Sequence, residues 1–382
     1  MNKKVGIERC SSYNRDELYQ ALKTASDLAG GLDVAGKTVL LKPNIVFDSP
    51  PEKAVVTHPA FLEACIRLVR EKGAAGILAG DSPGLQGPGF TARLSHIGET
   101  AIRNGAQWRD FTRGKAEVPC PEGRAVKQFS LAGAVREADC IISLPKLKTH
   151  QLMIFTGAMK NLFGLVPSAV KSAFHVRFPS QESFASMITD LNLAVKPHYA
   201  FMDAVTGMEG PGPAAGTPRQ IGLVLASSNL LALDAAACLI IGYPPEAIPV
   251  SREALARGVW LNDFSEIEYP GLHPEEVRIP DFVKVPLKKP GSQLLDFLLP
   301  RRLRRFREAL VPRPEIRHDV CIRCGDCARI CASRAIAPFG EGKERRMAVN
   351  YKKCIRCYCC HEICPLKAIT IKKVKITQAL RG

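Results

Sequence analysis

The sequence predicts an α/β fold, a mostly parallel sheet covered by helices, followed by a small C-terminal α+β domain. Three observations carry this. Apolar runs of strand length alternate with segments of helical spacing between residues 38 and 241. A basic, proline-punctuated stretch then ends the alternation. Beyond it, nine of the chain's 14 cysteines crowd between Cys321 and Cys364.

The elements follow in order. Residues 38–46 open with the apolar run of a buried strand. Pro59 to Lys72 has helical spacing, with Phe61, Leu62, Cys65, Ile66, Leu68 and Val69 on its apolar side. Ala74 to Gly80 reads as a second strand and Leu94 to Asn104 as a helix. Leu131 to Ala138 reads as a helix leading into strand Cys140 to Leu144. Phe184 to Leu193 is a further helix, Tyr199 to Asp203 and Ile221 to Ala226 are strands, and Leu233 to Ile241 is a last helix. At about 150 residues per domain, 382 residues allow two to three domains. The expected boundaries are 1–284 for the α/β domain, 285–313 for the linker and 314–382 for the cysteine-rich domain.

The linker carries Pro290, Pro300 and Pro312 and a short amphipathic segment, Leu294 to Arg307. Such a segment suits an anionic lipid surface or an acidic protein; a linker helix with solvated arginines is the plainer alternative. Charge is uneven. The net charge is +16, yet Arg301–Gly382 holds 21 Lys/Arg against 7 Asp/Glu, while residues 1–300 hold 32 against 30. A basic tail points to an acidic partner. The longest apolar stretch, Leu230 to Tyr243, is broken by Asp234 and falls short of the roughly 20 residues of a membrane span. With no apolar leader after Met1, the expectation is a soluble cytoplasmic chain without a membrane span. Its cysteines are then reduced, and Cys65 and Cys238, set in apolar patterns, are expected to be buried and inert.

The cysteine run has one defining spacing. Cys321, Cys324, Cys327 and Cys331 follow C-x2-C-x2-C-x3-C, and Cys354, Cys357, Cys360 and Cys364 repeat it, with Pro365 closing the second copy. Three cysteines two residues apart curl around one cuboidal cluster, and the fourth leads away to the other. The ligand sets expected are Cys321, Cys324, Cys327 and Cys364 for one [4Fe–4S] cluster, and Cys331, Cys354, Cys357 and Cys360 for a second. Paired zinc sites do not use this doubled spacing. Ala332 replaces the proline that often ends the first copy, and Cys359 is a ninth cysteine, expected not to be a ligand. Residues 314–375 resemble the two-[4Fe–4S] ferredoxin family. The resemblance implies low-potential, one-electron transfer. Free ferredoxins of that family are commonly acidic; residues 321–382 carry 14 Lys/Arg against 4 Asp/Glu, so the expected partner is an acidic ferredoxin or flavodoxin.

The α/β part places polar motifs after its strands, where open sheets of this kind bind ligands. They are Lys42-Pro43-Asn44, Gly80-Asp81-Ser82-Pro83-Gly84, Pro145 to His150 with Lys146 and Lys148, Gly157 to Gly164 with Lys160 and Asn161, and Asp203 to Pro213 with Glu209. Each alone is an ordinary turn or a solvated lysine; together they predict one crevice. Lys42, Lys146, Lys148 and Lys160 suit a carboxylate or phosphate. Asn44 and Asn161 offer orienting hydrogen bonds. Asp81, His150, Asp203 and Glu209 are acid/base groups, and the carboxylates are also hard-metal ligands. Gly210 to Pro218 reads either as a mobile cover or as a long ordered loop. These stretches, over residues 38–245, resemble the family catalogued as DUF362, often found with ferredoxin-type segments. The resemblance implies a shared α/β fold and a fused electron-transfer module, and no substrate.

No dinucleotide fingerprint, P-loop or nucleophile elbow is present. The expectation is an iron–sulfur oxidoreductase acting on an anionic substrate or cofactor, with an unknown extra ligand or metal in the crevice. The alternative is a non-catalytic electron carrier whose α/β domain docks on a partner oxidoreductase. A nucleic-acid role rests on the basic tail alone, without the aromatic platform of single-strand binders.

Overall fold

In the computed structural model the described residues are 2–85, 90–287, 312–340 and 345–372. The amphipathic linker segment Leu294 to Arg307 lies outside them. The chain divides into two compact units, Met1–Lys171 with Ser180–Val285, and Ser172–Pro179 with Pro286–Gly382.

Strand β1 (Gly6–Arg9), helix α1 (Arg15–Leu28) and strand β2 (Thr38–Pro43) open the first unit. α1 starts where the Asn14 side chain accepts hydrogen bonds from Asp16 N and Glu17 N, and those two acids sit at the positive end of the helix dipole. In β2, Val39, Leu40 and Leu41 are all buried, as in a strand covered on both faces. α2 (Pro59–Glu71) has proline at its first position, behind a His58 cap, and buries Phe61, Leu62, Cys65, Leu68 and Val69. β3 (Gly76–Ala79), α3 (Ile97–Arg103) and β4 (Gln107–Trp108) follow, then the hairpin of β5 (Lys115–Pro119) and β6 (Gln128–Ala132), the single turn α4 (Ala134–Glu137) and β7 (Cys140–Leu144). Strands β8 (Lys146–His150) and β9 (Ile154–Phe155) lead to α5 (Ala158–Asn161), α6 (Ser168–Arg177) and α7 (Gln181–Val195). Two long strands, β10 (Tyr199–Glu209) and β11 (Thr217–Ser227), precede α8 (Leu230–Ile240) and α9 (Pro249–Ala256).

The main sheet runs β1-β11-β10-β7-β2-β3-β4. It is parallel from β10 to β4 and antiparallel where β11 pairs with β10 and β1. One core joins Leu18, Leu22 and Ala25 of α1 and Phe61, Leu62, Cys65 and Leu68 of α2 to Val39, Leu41 and Ile142 of the sheet. Helices α5 and α8 pack together, as do α7 and α9. Cys65 and Cys238 are fully buried, and burial pushes both thiols well up. Among the described residues no helix is long and apolar enough to cross a membrane.

Three sequence expectations change, and a fourth follows the second of its two alternatives, the ordered loop. Residues 131–138 are the end of β6 plus one helical turn, not a helix. The Pro145 to His150 motif is no loop: after Pro145 the chain becomes β8, which pairs with β10 at Asp203↔Lys146 and Met208↔Lys148. The strand expected to stop at Asp203 continues to Glu209, so both acids lie within β10. Gly210 to Gly216 is an ordered turn joining β10 to β11; Thr149 Oγ1 donates to Gly210 O at 2.8 Å, and Gln151 N to Gly212 O at 3.1 Å.

The second unit is an internal duplication with an offset of 33 residues. β12 (Arg313–Ile316), α10 (Asp326–Arg329) and β13 (Ile336–Phe339) repeat as β14 (Arg346–Val349), α11 (Cys359–Ile363) and β15 (Ile369–Lys372). The copies exchange strands: β12 pairs with β15 and β13 with β14. Left-handed residues repeat at the same offset, Arg323 with Arg356, Gly325 with Tyr358, Arg334 with Lys367. Its core is small: Ile316, Ile336, Met347 and Ile369 with Cys327 and Cys360.

Candidate functional site

At the carboxyl ends of β2, β3 and β7 the chain buries a polar network. Register places Lys42 opposite Ser143. Lys42 Nζ lies 2.8 Å from Asp81 Oδ1, donates to Pro43 O at 2.6 Å and to Asn161 Oδ1 at 3.2 Å. Both members of the ion pair are 1% exposed. Burial pushes the Lys42 ammonium down, and the Asp81 charge opposes this. Asp81 also accepts from Ile45 N and Ser82 N. Asn161 Nδ2 donates to Lys42 O and Ser143 Oγ, and its Oδ1 accepts from Asn44 Nδ2 at 3.0 Å. Asn44 Oδ1 is buried with no hydrogen-bond partner among the described residues. Gly164 passes so close that a Cβ there would overlap Asp81 Oδ1 and the end of Lys42; only glycine fits.

A second network starts one strand away. Lys146 Nζ is 2.8 Å from Asp203 Oδ2 and donates to Tyr13 OH at 2.7 Å; Tyr13 OH donates to Asp203 Oδ1 at 2.8 Å. The pair is fully buried, which pushes the Lys146 ammonium down, against the pull of Asp203. Burial and the Asp203 charge push the Tyr13 hydroxyl up, so it stays a neutral phenol. His58 stacks on Tyr13 with ring centroids 3.6 Å apart, and its backbone N donates to Asp203 Oδ2 at 2.9 Å. Burial pushes the imidazole down to about 4, so it is neutral at physiological pH. His58 also lines a cavity of about 320 Å³ with Glu63, His96, Glu99 and Arg103.

Residues 44–58 join the two networks. Thr57 Oγ1 accepts from Asn44 N at 2.8 Å and donates to Leu144 O at 2.7 Å, while the next residue, His58, holds Asp203. Lys148, fully buried, donates from Nζ to Val55 O in the same segment. Half-buried Lys160 and Lys171 complete the positive charge. Burial pushes Lys171 down to about 7; Asp81 opposes this, while Lys42 and Lys160 add to it. Two expected residues make their contacts outside these networks. His150 Nδ1 accepts from Leu152 N and Met153 N in a turn. Glu209 accepts from Val283 N and faces Arg219 at 3.9 Å; it lies six residues along β10 from Asp203, roughly 20 Å. Spacing gave no sign of Tyr13 or Lys171, whereas His58-Pro59 before an apolar helix is a readable cap.

Four of the expected cysteines line each of two cavities in the second unit. One is lined by Cys321, Cys324, Cys327 and Cys364 with Ile316, Met347 and Ile369. The other is lined by Cys331, Cys354, Cys357 and Cys360, with Cys359 beside them. Each set takes three cysteines from one copy and the fourth from the other. The fourth cysteines are held alike: Ala335 N donates to Cys331 Sγ at 3.1 Å and Ala368 N to Cys364 Sγ at 3.2 Å. Among the described residues no three His, Cys, Asp or Glu are placed to hold a single metal ion. Cysteine sulfurs spread over an apolar cavity, with amide donors on two of them, fit an iron–sulfur cluster, which would supply low-potential one-electron chemistry.

Residues 320–368 match the model described as a 4Fe-4S dicluster domain, so the chain binds iron–sulfur in an electron-transfer domain. The thylakoid-associated protein sll1697 of Synechocystis is 29% identical over 316 residues, 80% of this chain and 93% of its own. Lactate racemase apoprotein from Thermoanaerobacterium thermosaccharolyticum superposes with a TM-score of 0.40 at 16% identity, over 61% of this chain and 56% of that one. A Thermotoga maritima protein of solved structure gives 0.36 at 12% identity, over 55% of each. The chain thus spans little more than half the length of either solved structure. The model described as domain of unknown function DUF362 matches residues 39–239, more than half of the sequence and all of the strand-end motifs up to Asp234, and the chain belongs to that family.

Proposed function

We propose that this protein is an iron–sulfur oxidoreductase that exchanges single electrons with an anionic substrate or cofactor at the joined networks around Lys42, Asn44, Asp81, Lys146, Asn161 and Asp203. It would hold two [4Fe–4S] clusters, one on Cys321, Cys324, Cys327 and Cys364, the other on Cys331, Cys354, Cys357 and Cys360. The crossed pattern of cysteines around two cavities carries this reading. For the anion, support comes from Lys171, which lies in the field of Lys42, and from the orphaned Asn44 Oδ1. A ligand with negative charge and a hydroxyl or amine donor would satisfy both. The electron-transfer partner would be an acidic ferredoxin or flavodoxin, in the cytoplasm.

The test is iron and acid-labile sulfide analysis of protein purified without oxygen. About eight of each per chain are expected. Cys331→Ser and Cys364→Ser should each drop the count to about four, and Cys359→Ser should leave it at about eight. A count of zero after reconstitution ends the reading. Native mass above two clusters would reveal the crevice ligand.

One observation favours a second reading, a non-catalytic carrier. Lys42 and Lys146 are neutralised by Asp81 and Asp203, so much of the positive charge is already spent within the fold. Turnover of a small molecule by the isolated chain would exclude it.

A further inference from the structure

The duplication makes the two cysteine cavities equivalent in backbone, so a difference between their rims carries information. Around the first, Ile322, Arg323 and Cys324 come from one copy and Pro365, Leu366 and Lys367 from the other; all six are exposed. Ile322 is 64% exposed and Leu366 44%, two of nine large apolar side chains left in water among the described residues. One repeat away, Ile355 and Cys357 are partly covered, and Ser333 stands where Leu366 does. The first rim therefore combines a cysteine at the surface, an apolar contact and two basic side chains. Charges steer a partner of opposite sign, and apolar atoms give the brief contact its desolvated centre. Electron tunnelling falls steeply with distance, so a ligand cysteine at the surface marks where a soluble partner can be served. Transient redox encounters use small interfaces of this kind.

We propose that the rim of the first cavity, centred on Ile322 and Leu366 and flanked by Arg323 and Lys367, is the docking surface for an acidic one-electron carrier protein. The inference rests on the iron–sulfur reading of that cavity. In the exchange the carrier loses one electron and this protein gains one; no proton or group moves with it. The choice of an acidic partner follows from the 14 Lys/Arg against 4 Asp/Glu in residues 321–382.

The experiment measures the Kd of an oxidised, acidic two-[4Fe–4S] ferredoxin for the full-length, iron-loaded protein by calorimetry at low ionic strength. Both proteins are oxidised, so the readout is affinity. R323E/K367E should weaken binding at least tenfold, and so should I322S/L366S. R334E/K353E, reversing exposed charges beside the second cavity, should change it less than twofold. Equal weakening by both charge reversals, no weakening by either, or no binding by the wild-type protein would overturn the proposal. Iron analysis of every sample separates these outcomes from failure of the underlying reading, which shows as iron-free protein before any binding is measured.

Discussion

Lys146 and Asp203 are fully buried and joined through Tyr13. Desolvation and mutual attraction nearly cancel in such pairs, so their worth shows on breaking one partner. Asp203→Asn leaves the Lys146 ammonium uncompensated, and a loss of about 3–5 kcal/mol is expected. Adding Lys146→Met removes the stranded charge, and the double variant should be more stable than Asp203→Asn alone. Denaturant unfolding followed by tryptophan fluorescence reads this domain, since Trp108 and Trp260 both lie in it. A double variant no better than the single one would show that the network depends on the ammonium itself. Asp234 behaves differently. Its carboxyl accepts from Ala158 N and Met159 N, yet burial outweighs these bonds and pushes it up to about 7. The folded state then keeps a proton that the unfolded chain releases near the ordinary carboxylate pKa. Stability contributed by that proton is present at low pH and is lost as pH rises to about 7. Asp234→Asn has no such proton. Relative to wild type it should therefore gain about 2 kcal/mol between pH 5.5 and 8, read as a rising difference in Tm. A constant difference would mean that Asp234 is ionised throughout.

Elements built from apolar runs were legible. β2, β3 and β7 announce themselves because strands covered on both faces need unbroken apolar sequence. α2 was legible because its buried face recurs at helical spacing. β8 was not. Lys146, Leu147, Lys148, Thr149 and His150 are all buried, but the groups that make their polarity tolerable come from residues 13, 55, 203 and 210, distant in sequence. Hydrophobic periodicity cannot report a strand whose partners are a carboxylate and carbonyl oxygens. The same blindness ended β10 at Asp203, whose acid is satisfied by Lys146 and by His58 N. Residues 131–138 failed for the opposite reason. Leu131 and Ala132 belong to a hairpin strand, and helix-compatible residues follow at once. The strand-end rule did bring Lys42, Asn44, Asp81 and Asn161 together, since parallel neighbours end at one edge. It could not supply Tyr13, which sits in the β1–α1 connection, or Lys171, which follows no strand.

At the scale of the molecule, two units with very different cores share one chain. The first buries dozens of apolar side chains on its sheet. The second has four aliphatic or methionine residues plus cysteines at its centre, on two-stranded ribbons. So little apolar area cannot offset the chain entropy of that many ordered residues, and small domains of this kind need a metal or cross-link. Two of its core members, Cys327 and Cys360, also belong to the cavity sets, so folding and cofactor binding are one equilibrium there. The first unit has its own core, caps and ion pairs and no such dependence. Stripping iron with a chelator and oxidant should therefore unfold the second unit and leave the first folded. Limited proteolysis of the stripped protein should give a resistant fragment ending near Val285, while the iron-loaded protein resists cleavage within residues 312–340 and 345–372. Circular dichroism should keep most of its helical signal, because, of helices α1 to α9, only the Ser172–Arg177 part of α6 belongs to the second unit. Loss of the whole signal with the iron would show instead that the α/β domain cannot stand without its electron-transfer partner in the same chain, and would make the cofactor a condition of the entire fold.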